Sequence, residues 1–309
     1  MALPLHFDSP ERVFTLADLA NWPADGTWLA VLGQPIKHSI SPAMHNAALA
    51  QLAKSDARFK SWRYVRFEIA PEDLPAALKQ FHAKHFLGLN LTVPHKVLAY
   101  AHVRHVDPRA QPIGAVNTLR WRENGWEGFN TDGYGLAQGL RENLRAELVG
   151  ADIILLGAGG AARGAAVECL QAGCASLSIG NRTAENLKTL LTTLAPLAGK
   201  ARLRGFDPQD PPKDLPSGAW MINATSAGLK SAEVAPIDLE RLPRPAGVYD
   251  MIYNPPLTPL LRQAQRLGLP SANGLSMLVY QGARALEIWT GASVPVSAMA
   301  AAVQARTAR

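Results

Sequence analysis

The sequence predicts a two-domain α/β fold. Its 309 residues suit two domains of about 150 residues each. Two separate series of short apolar strands alternate with helical segments, which is the pattern of parallel sheets covered by helices. The second series opens on a strand that runs into a Gly-x-Gly-x-x-Ala turn and then a helix, the arrangement of a Rossmann-type sheet.

Each element follows from local pattern. Residues 1–27 are a mixed leader in which 13–22 is expected as one short amphipathic helix. Residues 28–32 read as a buried strand ending at Gly33. A helix is expected over 42–52, with Ser41 as its N-cap and Pro42 at its first position. Residues 64–68 alternate as a strand, and 71–81 form a helix with Glu72 and Asp73 in its first turn. A strand over 86–91 closes at Val93-Pro94. Strands 116–122 and 126–129 form a hairpin through Glu123-Asn124-Gly125. A helix over 134–144 links the two series. The second series has strands at 153–156, 177–179, 201–205, 220–223 and 248–251, with helices at 161–171 and 184–194. Residues 207–217, carrying four prolines, read as a surface loop, and 276–289 as a strong helix.

Composition narrows the function. Apolar residues at 48% and charged residues at 18% exclude a disordered chain. The net charge of +6 divides evenly, with a surplus of two in each of 1–132, 133–272 and 273–309. No basic arm or stripe stands out, so neither nucleic acid nor a membrane is the expected partner, and small anions are. Two cysteines, Cys169 and Cys174, are too few for a disulfide framework or a structural zinc site. His82 and His85, like His102 and His105, are three apart and read as half-exposed helix or turn residues, so no metal is expected. The sequence has no run of 18 apolar residues and no export signal in its leader. A cytoplasmic protein is expected.

The glycine-rich turn is Gly157-Ala158-Gly159-Gly160-Ala161-Ala162. Gly157 permits the tight turn, Gly159 lets the backbone approach a pyrophosphate, and Ala162 keeps helix and strand close. The helix N-terminus offers free N–H groups to phosphate. The same string also makes a βα turn with no ligand. An NAD site would place Asp or Glu after the second strand. This chain has Asn181-Arg182-Thr183 there, and a guanidinium pairs with a 2′-phosphate that an acid would repel. NADP is therefore favoured over NAD.

Four polar segments remain: residues 33–42 (Gly-Gln-Pro-Ile-Lys-His-Ser-Ile-Ser-Pro), 90–96 (Asn-Leu-Thr-Val-Pro-His-Lys), 114–118 (Gly-Ala-Val-Asn-Thr) and 128–133 (Gly-Phe-Asn-Thr-Asp-Gly). Singly, each has a structural explanation: Ser41 as a cap, Pro94 as a strand end, Asn117 satisfying backbone groups, Asp132 capping the next helix. Together, in order with the glycine turn, residues 223–228 (Asn-Ala-Thr-Ser-Ala-Gly), 249–255 (Tyr-Asp-Met-Ile-Tyr-Asn-Pro) and 273–283, they resemble the shikimate dehydrogenase family from about Trp28 to Gly291.

The resemblance implies a substrate domain built from 1–132 and 273–309, an NADP domain over 133–272, and an active-site cleft between them. It implies NADPH-dependent, reversible reduction of 3-dehydroshikimate to shikimate by a monomer or homodimer. The catalytic positions would be Lys96 and Asp132. Ser39 and Ser41 match the substrate-carboxylate serines. Thr92, Asn117 and Gln281 match substrate hydroxyl and ring contacts, with Tyr253 nearby. Thr225 and Ser226 fall in a cofactor segment, and Gly274 and Met277 match positions near the nicotinamide. The residue types suit this chemistry. A lysine can stabilise charge on a ketone oxygen and supply a proton. Serines can donate to a carboxylate without adding charge. Two rivals stand beside this reading: a quinate or dual quinate/shikimate dehydrogenase, and a non-catalytic sensor on the same fold.

Overall fold

The computed structural model describes residues 11–229 and 234–307, so the first ten residues of the leader lie outside it. Contacts divide the chain into two compact units, Met1–Thr131 with Gly282–Arg309, and Asp132–Gln281.

In the first unit, β1 (Phe14–Thr15), β2 (Thr27–Gly33), β3 (Trp62–Glu68), β4 (Gly88–Leu91), β5 (His105–Val106), β6 (Thr118–Arg122) and β7 (Gly125–Phe129) form one sheet, in the order β1-β3-β2-β4-β6-β7-β5 among the described residues. The strands β1, β3, β2 and β4 run parallel. The β6–β7 hairpin is antiparallel and lies against β4. Helices α1 (Ser41–Leu52), α2 (Leu74–Ala83) and α3 (His95–Leu98) complete this part of the chain. A parallel sheet is covered on both faces, and residues of both parities in β3 (Tyr64, Val65, Arg66 and Phe67) are accordingly buried.

The leader differs from expectation. Residues 13–22 are not one helix: Phe14 pairs with Phe67 as an edge strand, and a 3-10 turn spans Leu16–Asn21. Asp18 starts that turn by accepting from the Thr15 N–H at 2.7 Å and its hydroxyl at 2.9 Å. Burial decides the outcome. Phe14, Leu19 and Trp22 all enter the core, and the Trp22 ring lies 5.0 Å from Phe14, 5.0 Å from Trp28 and 5.1 Å from Phe67. Aromatic contacts at these distances add stability beyond the area they bury. A second difference is at α1, where Ser41 is the first helical residue and Ile40 holds the cap position, with no side-chain cap.

The second unit opens with α4 (Asp132–Leu144). It continues through β8 (Asp152–Leu156), α5 (Gly160–Gln171), β9 (Ser176–Gly180), α6 (Ala184–Leu194), β10 (Arg202–Phe206), β11 (Trp220–Asn223), β12 (Gly247–Asp250), α7 (Pro259–Arg266) and β13 (Ser271–Asn273). All strands are parallel, in the order β10-β9-β8-β11-β12-β13. Numbered within the unit, this is 3-2-1-4-5-6, the doubly wound arrangement whose direction of winding reverses beside the first strand. The five expected strands are present. The sixth, β13, has no signature in the sequence, because three residues carry too little alternation.

Helix α8 (Leu275–Thr290) begins in the second unit, and α9 (Val296–Thr307) packs on α1 in the first. The contact division falls within α8, whereas the motifs put the boundary at 272/273. The later half of α8 is tied into the first unit, with Trp289 Nε1 donating to Leu119 O at 2.9 Å.

Candidate active site

Three polar segments of the first unit meet at one end of its central strands β2, β4 and β6. The loop carrying Ser39 and Ser41 follows β2, and the segment carrying Thr92 and Lys96 follows the neighbouring β4. Asn117 immediately precedes β6, whose antiparallel pairing puts Thr118 opposite Asn90. Backbone bonds lock these ends together: Gln34 N–H to Val93 O at 3.2 Å, Leu91 N–H to Asn117 O at 2.8 Å, and Val116 N–H to Lys96 O at 2.9 Å. Lys96 is half-buried on α3. Five expected residues, Ser39, Ser41, Thr92, Lys96 and Asn117, therefore lie on segments held to one another.

Beneath them runs a buried polar chain. Tyr64 donates from its hydroxyl to Asn90 Oδ1 at 2.8 Å. Asn90 donates to Thr118 Oγ1 at 3.0 Å, and Thr118 donates to Asn117 Oδ1 at 2.9 Å. Asn117 accepts from the Thr131 N–H at 2.9 Å and donates to Thr131 Oγ1 at 3.0 Å. Thr131 directly precedes Asp132, so this chain fixes the backbone from which α4 departs. Buried polar groups are costly unless paired, and here each supports its neighbour. Sequence reasoning assigns Tyr64 and Asn90 no role. The signal that could have found them is an asparagine inside an otherwise apolar buried strand, which demands partners.

His45 supports the same loop from α1. Its ring stacks on Tyr64 with centroids 4.0 Å apart and planes at 10°. Its Nδ1 donates to Ser41 O at 2.9 Å, since a carbonyl can only accept. Burial pulls its pKa down from 6.5 to about 4. Between those values the unfolded chain binds a proton that the folded chain does not. The contribution of His45 to stability is thus complete above pH 6.5 and declines by about 3 kcal/mol as the pH falls to 4. Denaturant titrations across this range should show a steeper loss for the wild type than for His45→Gln. Parallel curves would contradict the assignment.

In the second unit, the remaining segments follow the C-terminal ends of parallel strands. The turn 157–162 follows β8, Asn181-Arg182-Thr183 follows β9, Thr225 and Ser226 follow β11, Tyr253 follows β12, and Gly274 and Met277 follow β13. Ligands of such sheets bind at that end, where the winding reverses; here that point is the β8–β11 neighbourhood. Gly157 has φ +112°, and a Cβ there would lie 3.1 Å from Ala224 O, so the close turn requires glycine. At Gly159 a Cβ would meet nothing within 4 Å. Open space over an exposed glycine backbone at the start of a twelve-residue helix is what a pyrophosphate needs. Ala162 is fully buried and packs α5 on the sheet.

Arg182 is exposed and, with Asn181, Lys188 and Phe206, lines a cavity of about 370 Å³. The Asn181 side chain donates to Thr183 O at 2.9 Å, which shapes this loop. The Thr225 hydroxyl donates to Asn223 Oδ1 at 2.8 Å and accepts from the Ala227 N–H at 3.1 Å, forming a local turn. Exposed Ser226 lies within that turn. Asp250, fully buried, accepts from Thr258 Oγ1 at 2.6 Å, from Asn223 Nδ2 at 2.9 Å and from the Ile252 N–H at 3.1 Å. It thereby fixes both ends of the loop that carries Tyr253. Burial raises the Tyr253 hydroxyl above its ordinary pKa, so it stays protonated near neutrality. Tyr249 accepts from the Met277 N–H at 3.3 Å and contacts Ser276 Oγ at 3.1 Å, which anchors the start of α8. Gly274 permits that anchoring, because a Cβ would sit 2.1 Å from Met251 O. Gln281, on the same helix, donates to Leu278 O at 2.9 Å. Asp132 is buried at the first position of α4. Among the described residues, no group of three or more His, Cys, Asp or Glu side chains is placed to hold a metal ion.

Comparison with known proteins gives this arrangement a family. The model of the shikimate dehydrogenase substrate binding domain matches residues 31–119, and that of the shikimate 5′-dehydrogenase C-terminal domain matches 274–304. A shikimate dehydrogenase (NADP(+)) from Geobacter sp. strain M21 is 41% identical over 282 residues, covering 90% of this chain and 94% of its own. The chain belongs to the shikimate dehydrogenase family. The crystal structure of the Thermus thermophilus shikimate 5-dehydrogenase with NADP(H) and shikimate superposes with a TM-score of 0.79 at 35% identity, covering 91% of this chain and 99% of that one. The ligand-free 5-ketofructose reductase of a Gluconobacter strain superposes equally well, with a TM-score of 0.79 at 31% identity over 91% and 99% of the two chains. Shikimate dehydrogenase family membership accounts for the doubly wound second unit. The leader strand β1 precedes the matched residues, and its pairing with β3 extends the first sheet by one strand.

Proposed function

We propose that the chain catalyses reversible reduction of 3-dehydroshikimate to shikimate with NADPH. The observation that carries this reading is the joint presence of Lys96 on the turn after β4 and Asp132 at the head of α4, each in its motif, in a chain 41% identical to a shikimate dehydrogenase over nearly its whole length. The Thermus structure, described as a complex with NADP(H) and shikimate, supports the choice of ligands.

Residues 1–132 and 273–309 serve as the substrate domain, and 133–272 as the nucleotide domain. The nucleotide, when bound, supplies the hydride. Backbone N–H groups of 157–162 hold its pyrophosphate, Arg182 pairs with its 2′-phosphate, and Thr225, Ser226, Gly274 and Met277 border its nicotinamide half. Ser39 and Ser41 donate to the substrate carboxylate. Thr92, Asn117, Tyr253 and Gln281 orient the hydroxyls and ring. Lys96 Nζ hydrogen-bonds the ketone oxygen and gives it a proton as charge develops there, and Asp132 holds the ammonium in register. The protein acts on these ligands in the cytoplasm, as a monomer or homodimer.

Two family-level rivals make different demands. A quinate dehydrogenase must accommodate an additional hydroxyl, and a sensor binds without turnover. Steady-state kcat/KM for shikimate and quinate, each with NADP+ and NAD+, separates them. The proposal expects shikimate with NADP+ to exceed the other three pairs by at least about tenfold, the factor given by one well-placed polar contact. A preference for quinate would overturn it.

A further inference from the structure

We propose that Arg66 is a positioning residue for the substrate-carboxylate loop, and that the leader ahead of the family-matched residues helps build it. The inference rests on the assignment of Ser39 and Ser41 as the carboxylate donors.

Arg66 lies on β3, is 2% exposed, and is the largest of the fully buried side chains. Its guanidinium is spent on backbone carbonyls. Nη1 donates to Lys37 O at 2.6 Å and to Ser39 O at 2.9 Å, Nε to Arg12 O at 3.4 Å, and Nη2 to Glu11 O. The Glu11 carboxylate is 3.8 Å from Nη2 and 2.5 Å from Arg306 Nη1 on α9. A planar fork of five donors can hold several acceptors at fixed angles, which an ammonium cannot.

Two of these bonds bear on function. The peptides 37–38 and 39–40 are trans, being absent from the cis bonds of the chain. Their N–H groups therefore point opposite to the carbonyls that Arg66 holds. Fixing Lys37 O and Ser39 O aims the N–H groups of His38 and Ile40 away from the guanidinium. It also fixes the backbone on either side of Ser39. Other bonds on the loop are local or reach its ends: the Ile36 N–H on Glu68 Oε2 at 3.3 Å, the Ser39 N–H on Ile36 O at 2.9 Å, the Ser41 N–H on Ser39 Oγ at 3.4 Å and His45 Nδ1 on Ser41 O at 2.9 Å. Arg66 thus sets the geometry of both carboxylate-binding serines without facing the substrate. The leader closes its cage through the Glu11 and Arg12 carbonyls, and α9 joins the charge network through Arg306.

The test measures KM for shikimate, KM for NADP+ and kcat in the full-length wild type, Arg66→Lys and Arg66→Met, with shikimate methyl ester as a second substrate. The expected result is a rise in shikimate KM of about threefold to tenfold in the lysine variant and more in the methionine variant, with the KM for NADP+ within about twofold of wild type. The preference for shikimate over its methyl ester should shrink in step, because the loss falls on carboxylate recognition. Structural damage alone would lower melting temperature without moving that preference. The lysine variant keeps charge and length, so it tests the idea if the methionine variant does not fold. Unchanged shikimate KM and unchanged ester preference in folded Arg66→Lys overturn the inference while leaving the function intact. A wild type that never turns over shikimate overturns the function itself.

Discussion

Replacing Lys96 with alanine is expected to lower kcat by about 10²–10⁴-fold, the usual contribution of a positioned general acid. Binding of NADPH, followed by fluorescence titration, should stay within about twofold of the wild type. The reason is spatial. Lys96 belongs to the first unit, on the turn after β4, whereas the segments assigned to the nucleotide follow the strands of the second unit. A loss of stabilisation made only in the transition state lowers kcat and kcat/KM together. Near-normal turnover in the folded variant would remove Lys96 from the chemistry. A collapse of NADPH affinity instead would mean that the residue serves the cofactor.

The second large effect is expected at Arg182. Its exposed guanidinium follows β9 beside the cavity of about 370 Å³, and no acidic residue occupies the position where a ribose 2′-hydroxyl would be read. Charge-assisted bonds to phosphate are worth about 1.5–3 kcal/mol. Arg182→Ala should therefore raise KM for NADP+ by about 10–100-fold and change KM for NAD+ little. The ratio of kcat/KM for the two cofactors is the appropriate readout, because a general structural defect moves both values. An unchanged ratio would assign the 2′-phosphate to other residues, of which Lys188 on α6 lines the same cavity.

Much of the second unit is legible in the sequence. Short strands buried on both faces read as unbroken apolar runs, as at 153–156, and the glycine turn announces the strand–helix junction. The polar residues of the first unit are legible as motifs, because Lys96, Ser39 and Ser41 lie in short segments of unusual composition. The structure shows how these segments are held. Asn117 reads equally well as a backbone partner and as a substrate contact. It does bind the backbone of Thr131, and that bond fixes the residue before Asp132. Ser41 reads as a helix cap but enters α1 as its first residue, and its carbonyl accepts from His45 Nδ1 at 2.9 Å.

What escapes the sequence depends on long-range packing. Phe14 is a strand residue because Phe67 lies across from it, and no pattern within 13–22 encodes that partner. Arg66 sits at an alternating position in β3 and would face solvent in a one-sided sheet. Here α1 packs against β3 and α9 against α1. The leader and the loop after β2 both converge on the guanidinium, and Arg306 of α9 reaches the Glu11 carboxylate beside it. A lone arginine in a strand carries no sign of such a role. In the network from Tyr64 through Asn90 to Asn117, the buried asparagine signals that partners exist but not which ones, since they are 26 and 27 residues away.

The activity proposed for this chain is movement of a hydride between a nicotinamide nucleotide and the shikimate ring. The most direct test mixes purified protein with shikimate and NADP+ and follows NADPH formation, with the organic product identified by mass spectrometry. The expected result is NADPH and 3-dehydroshikimate in equal amounts, and the reverse reaction when those two are supplied. Saturable shikimate binding with no nucleotide reduction would contradict it and leave a ligand sensor on a dehydrogenase fold.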